Sequence, residues 1–208
     1  MFEVIAPATE ARLTTVAAVK ADLGITTTDQ DTRPGALIDQ YSAAIATWCD
    51  RVFARETVRE TLSLSRSSDR SQLALARWPI VGVDAVTMDG AALDPSLFHV
   101  SALTGLLTYL GTSTHDGHWP VGRTVITYRT GYVLPGNDNR NLPHDIERAC
   151  IMLVKGAWFA TGRDPSLRSE QTDGVGTFTF FGAAGGMSDG MPLEVQALLS
   201  PYRIPSVG

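Results

Sequence analysis

The spacing of apolar residues changes several times along the chain, and each change marks a boundary between elements. Val16, Val19 and Leu23 fall on one face of a short helix that Gly24 is placed to stop. After a polar loop at 26–31, Leu37, Tyr41, Ala44, Ile45, Trp48, Val52 and Phe53 recur at three- and four-residue steps, with Asp39, Gln40, Thr47 and Asp50 on the other side. This predicts a longer helix packed on other helices, with Pro34 confined to its first turn. From Arg55 the period falls to two. Thr57, Arg59, Thr61 and Ser63 occupy one face, and Val58, Glu60, Leu62 and Leu64 the other. Further strands are predicted at 72–76, 81–88, 97–100, 105–110 and 123–132, with Asp89-Gly90 as a hairpin turn.

Helical spacing returns at 142–161. Ile146, Cys150, Leu153, Ala157 and Trp158 line one face, behind Pro143 and the first-turn acids Asp145 and Glu147, with Gly162 as the stop. A β-like run at 176–181 follows. The next stretch, GAAGGMSDG at 182–190, is too rich in glycine to pack as an element of its own. A last amphipathic helix is predicted at 192–199, carrying Leu193, Val195, Leu198 and Leu199, with Pro201 and Tyr202 just beyond. The expected fold class is α+β: a small helical bundle from 1–54 and 134–162, an inserted antiparallel β module at 55–133, and an extended C-terminal arm at 163–208.

Composition narrows what such a chain does. With 208 residues, 44% hydrophobic and 19% charged, it is large enough for a real core and too apolar to be disordered. No stretch approaches the roughly 18–20 apolar residues of a membrane span. Residues 1–12 lack the basic start and apolar run of a secretory signal, so the expected compartment is the cytosol. A net charge of -5 argues against gripping nucleic acid through its phosphates. Cys49 and Cys150 sit among helix-spaced apolar residues and read as reduced core thiols; a disulfide or a reactive thiol is the other reading.

Candidate chemistry is sparse. His115, Asp116 and His118 form the one local cluster, in a loop that Trp119 would anchor, with no HExxH or CxxC partner to complete a metal site. His99 and His144 read as surface or structural residues. There is no nucleophile elbow, Walker loop or dinucleotide fingerprint, and Gly174-Val175-Gly176 leads into aromatics, not a helix. No cofactor is expected. Phe178, Phe180 and Phe181 have no interleaved lysines, so they read as contacts to a neighbouring subunit or to the helical core and not as a base-stacking surface.

The order of the pieces carries more than any one motif. LTTVAAVKADLGI, ALIDQYSAAIATWCDRVFARETVRETL, RWPIVGVDAVTMDG, TYRTGY, LPHDIERACIMLVKGAW, GRDPSLRSEQTDGVGTFTF and PLEVQALLSPYR, in this sequence, resemble the head-tail connector family of tailed bacteriophages and gene transfer agents, also called adaptors or head-completion proteins. The resemblance runs from about residue 13 to 203, departing at the glycine-rich 183–190. It implies a homo-oligomeric, typically dodecameric ring beneath the portal protein. That ring extends the DNA channel and gives a docking surface to a stopper or tail-completion protein. It implies residence in the virion neck after assembly in the host cytoplasm, passage of DNA without sequence-specific binding, and no membrane. Leu193, Val195, Leu198, Leu199 and Tyr202 match the closing segment that in this family reaches toward the portal. The alternative is a stopper or tail-completion protein of the same neck; a third reading is a small metal-dependent enzyme using the 115–118 loop.

Overall fold

The computed structural model describes residues 1–27, 32–66, 71–111, 117–160, 169–172, 176–179, 187–188 and 190–204, the backbone alone at 169–172, 176–179 and 187–188. The fold is α+β, as the change of period predicts, and the chain divides into two compact units.

The first unit comprises residues 1–10 and 52–133. Its larger sheet contains β1 (Phe2–Ala6), β2 (Glu56–Leu64), β4 (Ile80–Met88), β5 (Ala91–Ala92) and β8 (Gly122–Thr130) in the antiparallel order β1-β2-β8-β4-β5. A smaller sheet runs β3-β7-β6, from β3 (Gln72–Ala74), β6 (Phe98–Val100) and β7 (Leu106–Tyr109). The alternation read from the sequence is visible in the burial of β2: Glu56, Val58 and Glu60 face inward while Arg59 and Ser63 face water. Val58, Val86, Ile126 and Tyr128 of the larger sheet share one core with Leu73 and Leu107 of the smaller one and with Leu75 and Trp119. Trp119 is fully buried; its Nε1–H donates to the Leu107 carbonyl at 3.2 Å, and its ring lies against Tyr109. Asp89 and Gly90 both take positive φ, 47° and 87°, the turn that fits the twist of a two-residue hairpin between β4 and β5. Gly131 has φ +91°, and a Cβ there would overlap the Ala54 carbonyl, so only glycine lets the chain leave β8 at this point.

The spacing pattern assigns residues 1–54 to the helices, yet β1 runs antiparallel to β2 and residues 1–10 belong with the sheets. The spacing that suggests helix as far as Phe53 also stops short. Asp50 turns left-handed, φ 52°, and Arg51 N–H closes back on the Ala46 carbonyl, which ends the helix at Cys49.

The second unit comprises 11–51 and 134–208. It holds α1 (Val16–Leu23), α2 (Thr32–Cys49), α3 (His144–Ala160) and α4 (Leu193–Leu199), with two short pairs, β9 (Ser169–Thr172) with β10 (Gly176–Thr179) and β11 (Met187–Ser188) with β12 (Met191–Pro192). Thr15 caps α1 by accepting the Ala18 N–H at 3.1 Å, and Gly24 ends it at φ 69°. The other helices all pack on α3. Ile38 and Ile45 of α2, Val19 of α1, and Ile146, Ala149, Cys150 and Val154 of α3 are fully buried. Among the described residues no helix is long and apolar enough to cross a membrane.

Candidate assembly surfaces

The closing segment is where sequence places the most function, and its local structure follows from two residues four apart. Val195 and Leu199 stand one above the other on a helix. They are 1% and 0% exposed and, with Met191, seat α4 on α3. Burying each such side chain is worth about 1.5–3 kcal/mol. Leu193 lies on the other side, 51% exposed, while Leu198 and Tyr202 are half-buried. The five residues expected to face a partner therefore divide: Val195 and Leu199 are spent on the chain's own helices, and Leu193, Leu198 and Tyr202 retain exposed surface.

Beyond α4 the backbone is fastened to the end of α2. Arg51 is almost fully buried, and its Nη1 donates to the Tyr202 carbonyl at 3.2 Å. Ile204 N–H donates to the Cys49 carbonyl at 3.0 Å, one of the acceptors a helix end leaves unsatisfied, and the Arg203 guanidinium lies 4.5 Å over the Trp48 ring. Phe159, near the end of α3, is a further exposed apolar residue of this unit, at 57%.

Charges brace the helices. Asp22 of α1 accepts from Arg148 at 2.7 Å and Lys155 at 2.9 Å of α3. The Lys155 ammonium and the Arg148 guanidinium hold its carboxyl below the usual carboxylate range. Arg12 does the same for Asp39 through a two-point contact at 2.6 and 2.8 Å. Glu147 receives Arg140 and the Thr14 hydroxyl, while Ser42 Oγ accepts the Leu13 N–H and touches Cys150 Sγ at 3.6 Å. Both cysteines are free and buried, and burial pushes each thiol up to about 11, so neither is a ready nucleophile.

A buried acidic pair lies in the first unit. Glu56 and Glu60 are 7% and 5% exposed on the inward side of β2. The Glu60 carboxylate accepts the Tyr128 hydroxyl and, at 2.8 Å, the Ala76 N–H; the Tyr128 oxygen in turn accepts the Arg77 N–H at 3.2 Å. Burial and the adjoining Glu60 charge raise the Tyr128 pKa. Glu56 lies 3.6 Å from the Arg77 guanidinium, yet burial outweighs that charge and raises its pKa. Sequence left a signal here, a glutamate interrupting the apolar face of Val58, Leu62 and Leu64, which the sequence reading did not take up.

The described histidines lie on the surface. His118 is exposed beside a shallow depression lined by Ser71, Gln72, Thr108 and Gly117, and His99 and His144 are exposed. His115 and Asp116 lie outside the described residues, as do Phe180 and Phe181; Phe178 is placed in β10 by its backbone. Among the described residues no three His, Cys, Asp or Glu side chains gather as metal ligands.

The features that stand out are thus faces and edges of an α+β chain of two units. Three solved structures share this fold over 100% of the chain and 97% of theirs. They are the neck of an empty gene transfer agent particle computed with C6 symmetry (TM-score 0.58, 18% identity), a native gene transfer agent virion (0.56, 17%) and the neck of a native particle computed with C12 symmetry (0.54, 18%). The chain belongs to the head completion protein family, whose sequence model matches residues 12–204. No curated protein matches it in sequence.

Proposed function

We propose that the chain is a head-tail connector subunit of a virion or gene transfer agent neck, a structural part that acts by fit and not by catalysis. The observation that carries this reading is the family match over 12–204, supported by likeness of fold to neck-particle chains along the whole length. Subunits close into a ring, typically of twelve, beneath the portal; the ring extends the DNA channel and offers its far side to a stopper or tail-completion protein. A net charge of -5 suits a passage through which DNA slides, since a basic lining would hold phosphates.

The closing segment is the portal-facing element in this reading. Leu193, Leu198 and Tyr202 supply the contact, and Val195 and Leu199 fix the segment to the helices behind it. Phe178, Phe180 and Phe181 belong to contacts between subunits. The test is electron microscopy of the purified chain with and without the portal of its particle. Rings seated on the portal support a connector; capture by the tail tube and not by the portal would point to a stopper or tail-completion protein instead.

A further inference from the structure

Two features, one in each unit, lack what their own chemistry asks for. The first is the edge of the larger sheet. β1 is its outermost strand, and all five of its residues are exposed. Four of them are apolar, with Phe2, Val4 and Ile5 at 40%, 44% and 42%. Thr61 N–H donates to the Met1 carbonyl and the Met1 nitrogen donates to the Thr61 carbonyl, both at 2.8 Å. Antiparallel alternation then bonds Glu3 to Arg59 across the ladder and turns the N–H and C=O of Phe2 and Val4 away from β2, toward the open edge.

An edge of this kind templates strand addition unless it is blunted. The opposite margin of the same sheet is blunted. Along β4 the register slips twice, between Ile80 and Gly82 and between Val83 and Ala85; Asp84 is exposed there on Arg129 at 2.9 Å, and β5 covers the end. On β1 the single acid, Glu3, is paired with Arg59 at 3.5 Å, and the one register shift falls at the far end, between Val4 and Ala6.

The second feature is the β9–β10 hairpin. Its four residue pairs form a sheet of two strands, with no third among the described residues. A two-stranded ribbon alone is marginal in water, and a further strand is one of the two things that stabilise it, a helix packed on its face being the other. The strands differ in charge: β9, SEQT, carries Glu170, whereas β10, GTFT, is uncharged and alternates threonine with Phe178.

We infer that β10 of one copy adds to the open edge of β1 in a second copy, extending the larger sheet across the subunit boundary. Charge favours β10 over β9, since β9 would bring an acid to a strand whose one charged residue is Glu3, and β10 brings none. Each copy has one donor strand, in its second unit, and one acceptor edge, in its first. Such a contact is head-to-tail, and repeated about an axis whose rotation closes it gives a ring. The inference rests on the ring reading and gives it a specific contact.

The test uses the full chain. Val4→Pro removes the outward N–H and leaves the β1–β2 bonds in place, while Val4→Thr keeps that N–H. Assembly, with and without portal, is followed by sedimentation and electron microscopy, and the fold of each variant by thermal melting. Val4→Pro is expected to melt as wild type and to assemble about tenfold more weakly, and Val4→Thr to assemble normally. In a mixture of Val4→Cys and Phe178→Cys copies, a short bismaleimide is expected to join the two different chains. Rings that form with Val4→Pro as readily as with wild type, or that yield no mixed cross-link, overturn the inference and leave the connector reading standing. A wild-type chain that never rings, alone or on the portal, overturns the connector reading and this contact with it.

Discussion

Leu199→Ala separates a docked closing segment from an integral part of the helical core. Leu199 is fully buried, and α4 packs on α3 through it and Val195. Truncating a buried leucine costs about 2–5 kcal/mol. The segment is fastened beyond α4 by Arg51 to Tyr202, Ile204 to Cys49 and Arg203 over Trp48. If it opens as a local unit, that cost raises its opening equilibrium and leaves α1, α2 and α3 folded. Taking about 3 kcal/mol, opening should rise roughly 150-fold. Hydrogen exchange read by mass spectrometry is the assay: amides at 193–204 should lose protection by about that factor, with those of α3 near Ile146 unchanged. Thermal melting should move far less than for Ile146→Ala, whose residue is fully buried on α3, the helix on which the others pack. Equal loss of protection in α3 and α4 would refute local docking and make the segment part of one cooperative core.

Tyr128→Phe leaves the buried Glu60 carboxylate with the Ala76 N–H and without its hydroxyl donor, and urea titration should show a loss of about 1–3 kcal/mol. Asp22 and Asp39 have folded pKa values below their unfolded ones, so their contribution is complete above about pH 4 and is lost as pH falls through the lower folded values. Asp22→Asn should accordingly flatten the acid limb of stability against pH, by about 1 kcal/mol or less for a partly exposed cluster, and high salt should mute the difference. Cys49 and Cys150 should react with a thiol reagent at pH 8 only on unfolding; fast labelling of the native chain would contradict their burial.

Helix α3, the Asp89-Gly90 turn, the Gly24 stop and the alternation of β2 were legible in the sequence because each is decided within a few residues. β1 was not. Its partner β2 lies some fifty residues downstream, and nothing local in FEVIA names Arg59 or Val58 as the residues opposite. The end of α2 misled for a related reason: Val52 and Phe53 continue the helical spacing, and only the left-handed Asp50 interrupts it. In the closing segment the helix was legible, but which of its apolar residues face inward was not, because α3 makes that choice by taking Val195 and Leu199 and leaving Leu193 exposed. The buried acids of β2 were visible as an anomaly in the pattern, though the pairing of Glu60 with Tyr128 and of Glu56 with Arg77 required the sheet to be folded.

The most direct measurement is the averaged rotational symmetry of whatever the purified chain forms when mixed with the portal of its particle. A twelvefold ring seated beneath the portal, with DNA density through its centre in filled particles, is expected of a connector. A chain that stays monomeric beside the portal under every assembly condition, while binding the tail tube, would contradict it.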